Sequence, residues 1–266
     1  MMDVNSHNRA AWNREAAGGE NEWSQPVDEE TIARARDGDW SLILTPTWPV
    51  PEAWYGAGER GAGVAGKRVL CLASGGGQQA PVLAAAGAEV TSFDQSEEQL
   101  ALDGQVAERE GLSIRLEQGD MADLSRFADA SFDLIFHPVS NVFVADVLPV
   151  WRECRRVLVP GGRLLSGIMN PDYFLFDHHA IEAGAPMVIS HSLPYADVTS
   201  LSPETLQKRI DAGAALEFSH SLDDQIGGQI AAGFAIAGFF EDFWDAEKVP
   251  VGAHMPVCFA LLGIAV

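Results

Sequence analysis

Residues 68–80 read RVLCLASGGGQQA, and residues 89–94 read EVTSFD. The first segment is an apolar run that ends in a glycine-rich turn, and the second is another strand-like run that ends in Asp94. Between them, residues 78–87 have the pattern of a short helix, with Pro81 in its first turn and Gly87 after its end. This succession predicts a parallel β-α-β unit with Asp94 at the carboxyl end of its second strand.

The same alternation of strands and helices continues to about residue 170. Strands are predicted at 68–73, 89–94, 113–120, 131–138, 162–169, 234–244 and 255–265. The last two have no helix between them, so we expect them to pair as an antiparallel hairpin at the sheet edge. The predicted fold is therefore α/β, with a doubly wound, mostly parallel seven-stranded sheet that ends in an antiparallel C-terminal hairpin.

Two regions depart from this alternation. Residues 1–66 are predicted to form an N-terminal helical cap, and residues 67–266 a Rossmann-like domain with an insertion at 171–218 that we expect to act as a lid. Five of the seven tryptophans lie in the cap region: Trp12, Trp23, Trp40, Trp48 and Trp54. They either pack the cap onto the core or form part of a ligand pocket.

Charge and composition exclude several classes of function. The chain has a formal net charge of −21, which disfavours a nucleic-acid partner. No apolar run is long enough to span a bilayer, and the first residues lack the apolar core of a signal peptide. A cytoplasmic protein with three free cysteines and no metal site is expected; the sequence does not predict the oligomeric state.

The glycine-rich turn predicts a nucleoside site. Glycines let the backbone approach a ligand closely, and the following helix begins with free N–H groups. Asp94 lies 17 residues after Gly77, where its carboxylate can accept hydrogen bonds from both hydroxyls of a ribose. The residues predicted to contact the cofactor from these two turns are Ala73, Ser74, Gly75, Gly77, Gln78, Asp94 and Gln95.

Two cofactors fit this turn. Gly75-x-Gly77-x-x-Ala80 matches the dinucleotide pattern, whereas Ala73-x-Gly75-x-Gly77 matches the shorter loop used for S-adenosylmethionine. The second cofactor is favoured by Asp120 and Met121 after the third strand, which suit an adenine amino group and an adenine ring. The C-terminal hairpin also favours it, and the chain has no Tyr-x-x-x-Lys pair and no phosphate-binding P-loop.

On these motifs, residues 67–170 resemble a class I S-adenosylmethionine-dependent methyltransferase, of the broad group that includes the ubiquinone and menaquinone C-methyltransferases. The matching segments are VLCLASGGG, EVTSFDQS, QGDMADL, FDLIFHPVSN and RVLVPGGRLL. The usual family loop reads roughly DLGCGTG; here Cys71 replaces its acid, Ala73 its first glycine and Ser74 its cysteine.

The resemblance implies methyl transfer from S-adenosylmethionine to a small-molecule acceptor. The altered loop leaves open a cofactor-binding protein without methyl transfer, and the dinucleotide pattern leaves open an NAD(P)-dependent oxidoreductase. Methyl transfer needs no shared catalytic residue, because alignment and exclusion of water supply much of the rate. The candidates are His137, as a cofactor contact, a base or a structural residue, Asn141 to orient an acceptor, and His220 as a lid residue.

Overall fold

The computed structural model describes residues 2–56 and 63–266. Its centre is a seven-stranded sheet in the order β3-β2-β1-β4-β5-β7-β6. The strands are β1 Arg68–Leu72, β2 Glu89–Asp94, β3 Ile114–Gln118, β4 Phe132–His137, β5 Leu158–Met169, β6 Phe234–Asp242 and β7 Cys258–Ala265. β1 to β5 pair in parallel, and β7 lies antiparallel to both β5 and β6. The predicted fold class, including the C-terminal hairpin, is confirmed.

Helices cover both faces of this sheet. They are α1 Val4–Gly18, α2 Glu29–Arg36, α3 Gln79–Ala85, α4 Glu97–Glu110, α5 Leu148–Val157, α6 His178–Glu182, α7 Asp197–Ser200, α8 Pro203–Ala212 and α9 Gly228–Ala232, which a π-helical turn, Asp223–Gly227, precedes. Ser96 caps α4 by accepting a hydrogen bond from the Gln99 amide, and left-handed Gly111 ends the helix, as the sequence predicts.

The central strand β1 is buried on both faces of the sheet. Val69 and Cys71 pack in one apolar cluster, while Leu70 and Leu72 pack with Trp151 of α5 in another. This two-sided burial explains why the strand is a continuous apolar run. Removing one such side chain from water contributes roughly 1.5–3 kcal/mol.

The N-terminal region contacts two parts of the molecule. α1 packs on α4 and α2 packs on α3. Residues 1 and 57–62 of the predicted cap lie outside the described residues. In the part of the chain that the structure describes, no helix is both long and apolar enough to cross a membrane.

Asn8 of α1 connects the N-terminal region to the segment that returns from the insertion. Its side chain is fully buried. It accepts a hydrogen bond from the Leu216 amide at 2.8 Å and donates to the Leu216 carbonyl at 2.9 Å and the Phe143 carbonyl at 3.0 Å. A buried asparagine with all these bonds satisfied fixes the position of α1 relative to the return segment.

Candidate active site

A cavity of about 250 Å³ lies at the carboxyl ends of the parallel strands. This is where ligands bind in open α/β sheets. Its described lining comprises Asn5, Trp12, Trp23, Ile43, Leu44, Thr45, Pro46, Ala73, Ser74, Gly75, Gln79, Phe93, Asp94, Gln95, Gln99, Asp120, Met121, Pro138, Val139, Ser140, Val142, Phe143, Val144, Met169, Tyr173, Glu217 and Trp244. Seven of the predicted cofactor residues are in this set: Ala73, Ser74, Gly75, Asp94, Gln95, Asp120 and Met121.

The loop after β1 keeps a left-handed conformation without the usual first glycine. Ala73 has φ of 48°, and its amide donates to the Phe93 carbonyl at 2.8 Å. Gly75 and Gly77 also have positive φ, 75° and 77°. Left-handed backbone costs an alanine roughly 1–2 kcal/mol, so the packing around the loop must hold Ala73 in place.

The glycines of this loop make room for protein as well as for a ligand. A Cβ at Gly75 would lie 2.6 Å from the Trp23 carbonyl oxygen, and one at Gly77 would lie 2.7 Å from Pro26 Cα. Gly77 therefore faces the N-terminal segment, outside the described cavity lining. Gln78 is also outside that lining, and its Nε2 donates to the Glu22 carbonyl at 2.8 Å. Both residues thus contact the N-terminal segment, and their contact with the cofactor stays a prediction.

Asp94 ends β2 beside the cavity and is only 8% exposed. Its Oδ1 accepts a hydrogen bond from the Ser96 amide at 2.8 Å. Burial raises the pKa of Asp94 to about 6, against the opposing effect of backbone hydrogen bonds from Ser96, Gly75 and Gln95. Near neutral pH the group is ionised, and it can accept hydrogen bonds from a ligand's hydroxyls.

Asp120 and Met121 follow β3 and line the cavity with Phe93. Asp120 Oδ2 accepts from Asn5 Nδ2 at 2.5 Å, and its Oδ1 accepts from the Ala122 amide at 2.9 Å. The N-terminal helix therefore reaches the segment predicted to receive adenine, and the apolar Met121 and Phe93 side chains supply flat surface beside it.

His137, Asn141 and His220 all lie outside the described lining of the cavity. His137 is fully buried; its Nδ1 lies 2.9 Å from the Leu72 carbonyl oxygen, and burial lowers its pKa to about 4. Asn141 Nδ2 donates to Gln225 Oε1 at 3.1 Å, and His220 Nε2 lies 3.0 Å from the Asn141 carbonyl oxygen. Since all three point into the protein, the structure favours supporting roles for them over direct contact with ligands.

The sequence reasoning missed Asp103, which supports the glycine loop from α4. Its Oδ1 accepts from the Gly77 amide at 2.7 Å and its Oδ2 from Ser92 Oγ at 2.6 Å. Burial raises its pKa to about 7. Position 71, where the resemblance implies an acid, holds a fully buried thiol, so the carboxylate that binds the loop comes from α4 instead of β1. An acid on the buried face of α4, four residues after Gln99, was the available signal.

The tryptophans of the N-terminal region divide between the two roles considered for them. Trp12 and Trp23 line the cavity. Trp40 packs edge-on against Tyr55, Trp54 lies against Phe240, and Trp48 is exposed. Tryptophans that line the cavity and tryptophans that pack against the core therefore both occur in the N-terminal region.

Comparison with known proteins finds methyltransferases. A family model described as a methyltransferase domain matches residues 70–166. The uncharacterized methyltransferase YbaJ of Bacillus subtilis is 50% identical over 242 residues, covering 91% of this chain and 92% of that protein. A ubiquinone biosynthesis O-methyltransferase of Pseudomonas syringae pv. tomato is 32% identical over 117 residues, which cover 43% of this chain and 50% of that one.

Solved structures agree on the fold. An S-adenosylmethionine-dependent methyltransferase from Mesorhizobium loti superimposes with a TM-score of 0.53 at 21% identity, covering 76% of this chain and 92% of that chain. The chain belongs to the methyltransferase family that these relatives share. Membership of this family favours methyl transfer over the nicotinamide-dependent alternative.

Proposed function

We propose that this methyltransferase binds S-adenosylmethionine through the turns after β1, β2 and β3 and methylates a small molecule enclosed in the same cavity. The observation that carries the proposal is the convergence of Ala73–Gly75, Asp94 and Asp120–Met121 on one cavity. These segments are separate in sequence and are brought together by the strand order.

The residues of this cavity fit the donor. Asp94 is ionised near neutral pH and suits the two ribose hydroxyls, while Met121 and Phe93 suit the adenine ring. The backbone of Ser74 and Gly75 is close enough to the cavity to contact the remainder of the molecule. When bound, the donor supplies an electrophilic methyl group on a sulfonium, which is a good leaving group.

The chain itself supplies enclosure and orientation. Trp12, Trp23 and Trp244 line the cavity, and the hydrogen bond from Asn5 to Asp120 closes α1 over the strand ends. Exclusion of water strengthens polar contacts within such a site and prevents competing hydrolysis. An acceptor held in line between these walls and the donor needs little further assistance from the protein unless it must lose a proton.

Calorimetry with S-adenosylmethionine and with S-adenosylhomocysteine tests the proposal. We expect saturable binding of both, with one site per chain. Absence of binding of either compound at millimolar concentration would refute the proposal. Binding of both, with no methylated product from any of a wide range of acceptors, would favour a cofactor-binding protein without transfer.

We also propose a reducing, cytoplasmic setting. Cys71, Cys154 and Cys258 are free and buried, and burial raises the pKa of each thiol. Buried thiols that stay protonated are poor nucleophiles and suit a compartment without disulfide formation. The division into a cap at 1–66 and a domain at 67–266 with an insertion remains part of this proposal.

A further inference from the structure

Glu217 is a carboxylate on the cavity wall that the binding of the donor does not use. It lies in the segment that returns from the insertion, and both its backbone groups are fixed by Asp197: the Glu217 amide donates to Asp197 Oδ2 at 2.9 Å, and the Asp197 amide donates to the Glu217 carbonyl at 3.0 Å. Its neighbour Leu216 is held by Asn8 of α1. The backbone on either side of Glu217 is therefore anchored.

Glu217 lies on the cavity wall with part of its side chain accessible. About a third of it, 34%, is accessible, and it belongs to the cavity lining. Tyr173, which follows β5, lines the same cavity, and the charge of Glu217 adds to the burial that raises the Tyr173 pKa. Asp94 ends β2, which lies three strands from β5 in the sheet order, or roughly 14 Å at the usual strand spacing. The Glu217 side of the cavity is thus the side left for the acceptor.

The groups around Glu217 bring the pKa of its carboxyl group close to neutral pH. Burial raises its pKa to about 7; Arg209 of α8 opposes this effect and Asp197 adds to it. Arg209 Nη2 lies 3.9 Å from Glu217 Oε2, but Arg209 Nε is 3.2 Å from the fully buried Asp197. Because the guanidinium is shared with Asp197, it does not hold Glu217 firmly in the ionised state. A group with a pKa near the working pH is well suited to move a proton.

Other groups near the cavity are poor proton acceptors. Asp94 and Asp120 already accept hydrogen bonds from the Ser96 amide and from Asn5. His137 lies outside the described lining, and burial raises the pKa of Tyr173, so the phenol stays protonated and does not act as a base.

We propose that Glu217 accepts the proton of the methyl acceptor, and that this acceptor is a compact, largely apolar molecule with one O–H or N–H group; this inference rests on the proposed function. The lone pair of that oxygen or nitrogen forms a bond to the methyl carbon, the methyl–sulfur bond breaks with its electron pair passing to sulfur, and the proton passes to a Glu217 oxygen. Phe143, Met169 and Tyr173 supply apolar surface for the body of the acceptor. None of the described lining residues is a lysine or arginine, so an anionic acceptor would lack a partner.

The test compares Glu217→Gln, which keeps the shape and removes the charge, with Glu204→Gln as a matched control. Glu204 lies on α8 in the same insertion, is 80% exposed and pairs with Lys208 at 2.9 Å. Each protein is saturated with S-adenosylhomocysteine and titrated with phenol and benzylamine, which carry a dissociable proton, and with anisole, which does not. Calorimetry in two buffers of different ionisation enthalpy counts the protons taken up or released.

We expect Glu217→Gln to bind S-adenosylhomocysteine within twofold of wild type. We also expect it to bind phenol or benzylamine at least tenfold more weakly, with loss of the linked proton change, and to bind anisole as wild type does. The control should match wild type throughout. A single cooperative thermal transition of Glu217→Gln shows that the variant is folded.

Equal affinity of Glu217→Gln and wild type for the proton-bearing probes would overturn the inference, as would failure of all three probes to bind the loaded protein at millimolar concentration. Failure of wild type to bind S-adenosylhomocysteine would instead refute the proposed function. Where phenol is methylated, the rate should rise with pH to a plateau with a midpoint near 7, since Glu217 must be ionised. Persistence of that profile in Glu217→Gln would also overturn the inference.

Discussion

Replacing Asp94 by alanine should raise the Kd for S-adenosylhomocysteine by about 10-fold to 150-fold, which is the effect of losing a single hydrogen bond. The carboxylate is 8% exposed, lines the cavity and spends one oxygen on the Ser96 amide. A hydrogen bond to a charged group is worth about 1.5–3 kcal/mol, which corresponds to about 10-fold to 150-fold in Kd. Two ribose hydroxyls would set a higher ceiling, but paired contacts are not additive, so we take one bond as the minimum. Calorimetry at pH 7.5 measures the change directly.

Loss of the Ser96 bond could itself disturb the loop, and Asp123→Ala controls for this. Asp123 Oδ1 accepts from the Ser125 amide at 3.0 Å, a bond to the amide two residues later like the one that Asp94 makes. Asp123 is not part of the described cavity lining. The control should bind S-adenosylhomocysteine as wild type does. Because burial raises the Asp94 pKa to about 6, wild-type affinity should also fall as the pH drops below 6. A Kd for Asp94→Ala within twofold of wild type would refute the assignment of the ribose site.

Three further variants test the packing that forms the site. Asn8→Ala removes three hydrogen bonds and leaves groups of Leu216 unsatisfied, so the free energy of unfolding should fall by about 2–4 kcal/mol; a loss under 0.5 kcal/mol in denaturant titration would contradict this. The pKa of Asp103 is 3.8 in the unfolded chain and about 7 in the fold, so its stabilising contribution is complete below pH 3.8 and is lost as the pH rises to about 7. Asp103→Asn should therefore reduce the dependence of the melting temperature on pH over this range. An unchanged dependence would count against this reasoning. Gly77→Ala should lower the free energy of unfolding more than Gly111→Ala does. Both glycines have positive φ, but only at Gly77 would the new Cβ meet protein atoms. Equal losses of stability would show that the N-terminal segment moves to make room for the Cβ.

The sequence predicts those parts of the site that local structure determines. Asp94 ends a strand, the glycine turn and Asp120 come shortly after strands, and parallel strands bring their carboxyl ends to one edge of the sheet. The sequence does not predict how distant segments pack against the loop. Gly77 is covered by Pro26 and Gln78 is bound by Glu22, and no pattern within the loop indicates either contact.

Strand alternation explains why the structure favours, among the three roles left open for His137, a structural residue bonded to a nearby carbonyl. Successive side chains of β4 point to opposite faces of the sheet, and His137 shares a face with Ile135. That face is covered by α5, where the His137 ring lies 5.9 Å from the ring of Trp151. The period of two therefore places this side chain on the α5 face, outside the described lining of the cavity.

The two sides of the cavity differ in where their residues lie along the chain. All the predicted donor-side residues that line it, from Ala73 to Met121, fall within residues 70–166, the part matched by the family model. Trp12, Tyr173 and Glu217 fall outside that part, and Glu217 is placed by a contact between α1 and a segment 208 residues away. On the proposed assignment, the acceptor therefore contacts segments that lie outside the part matched by the family model, whereas the donor contacts segments within it.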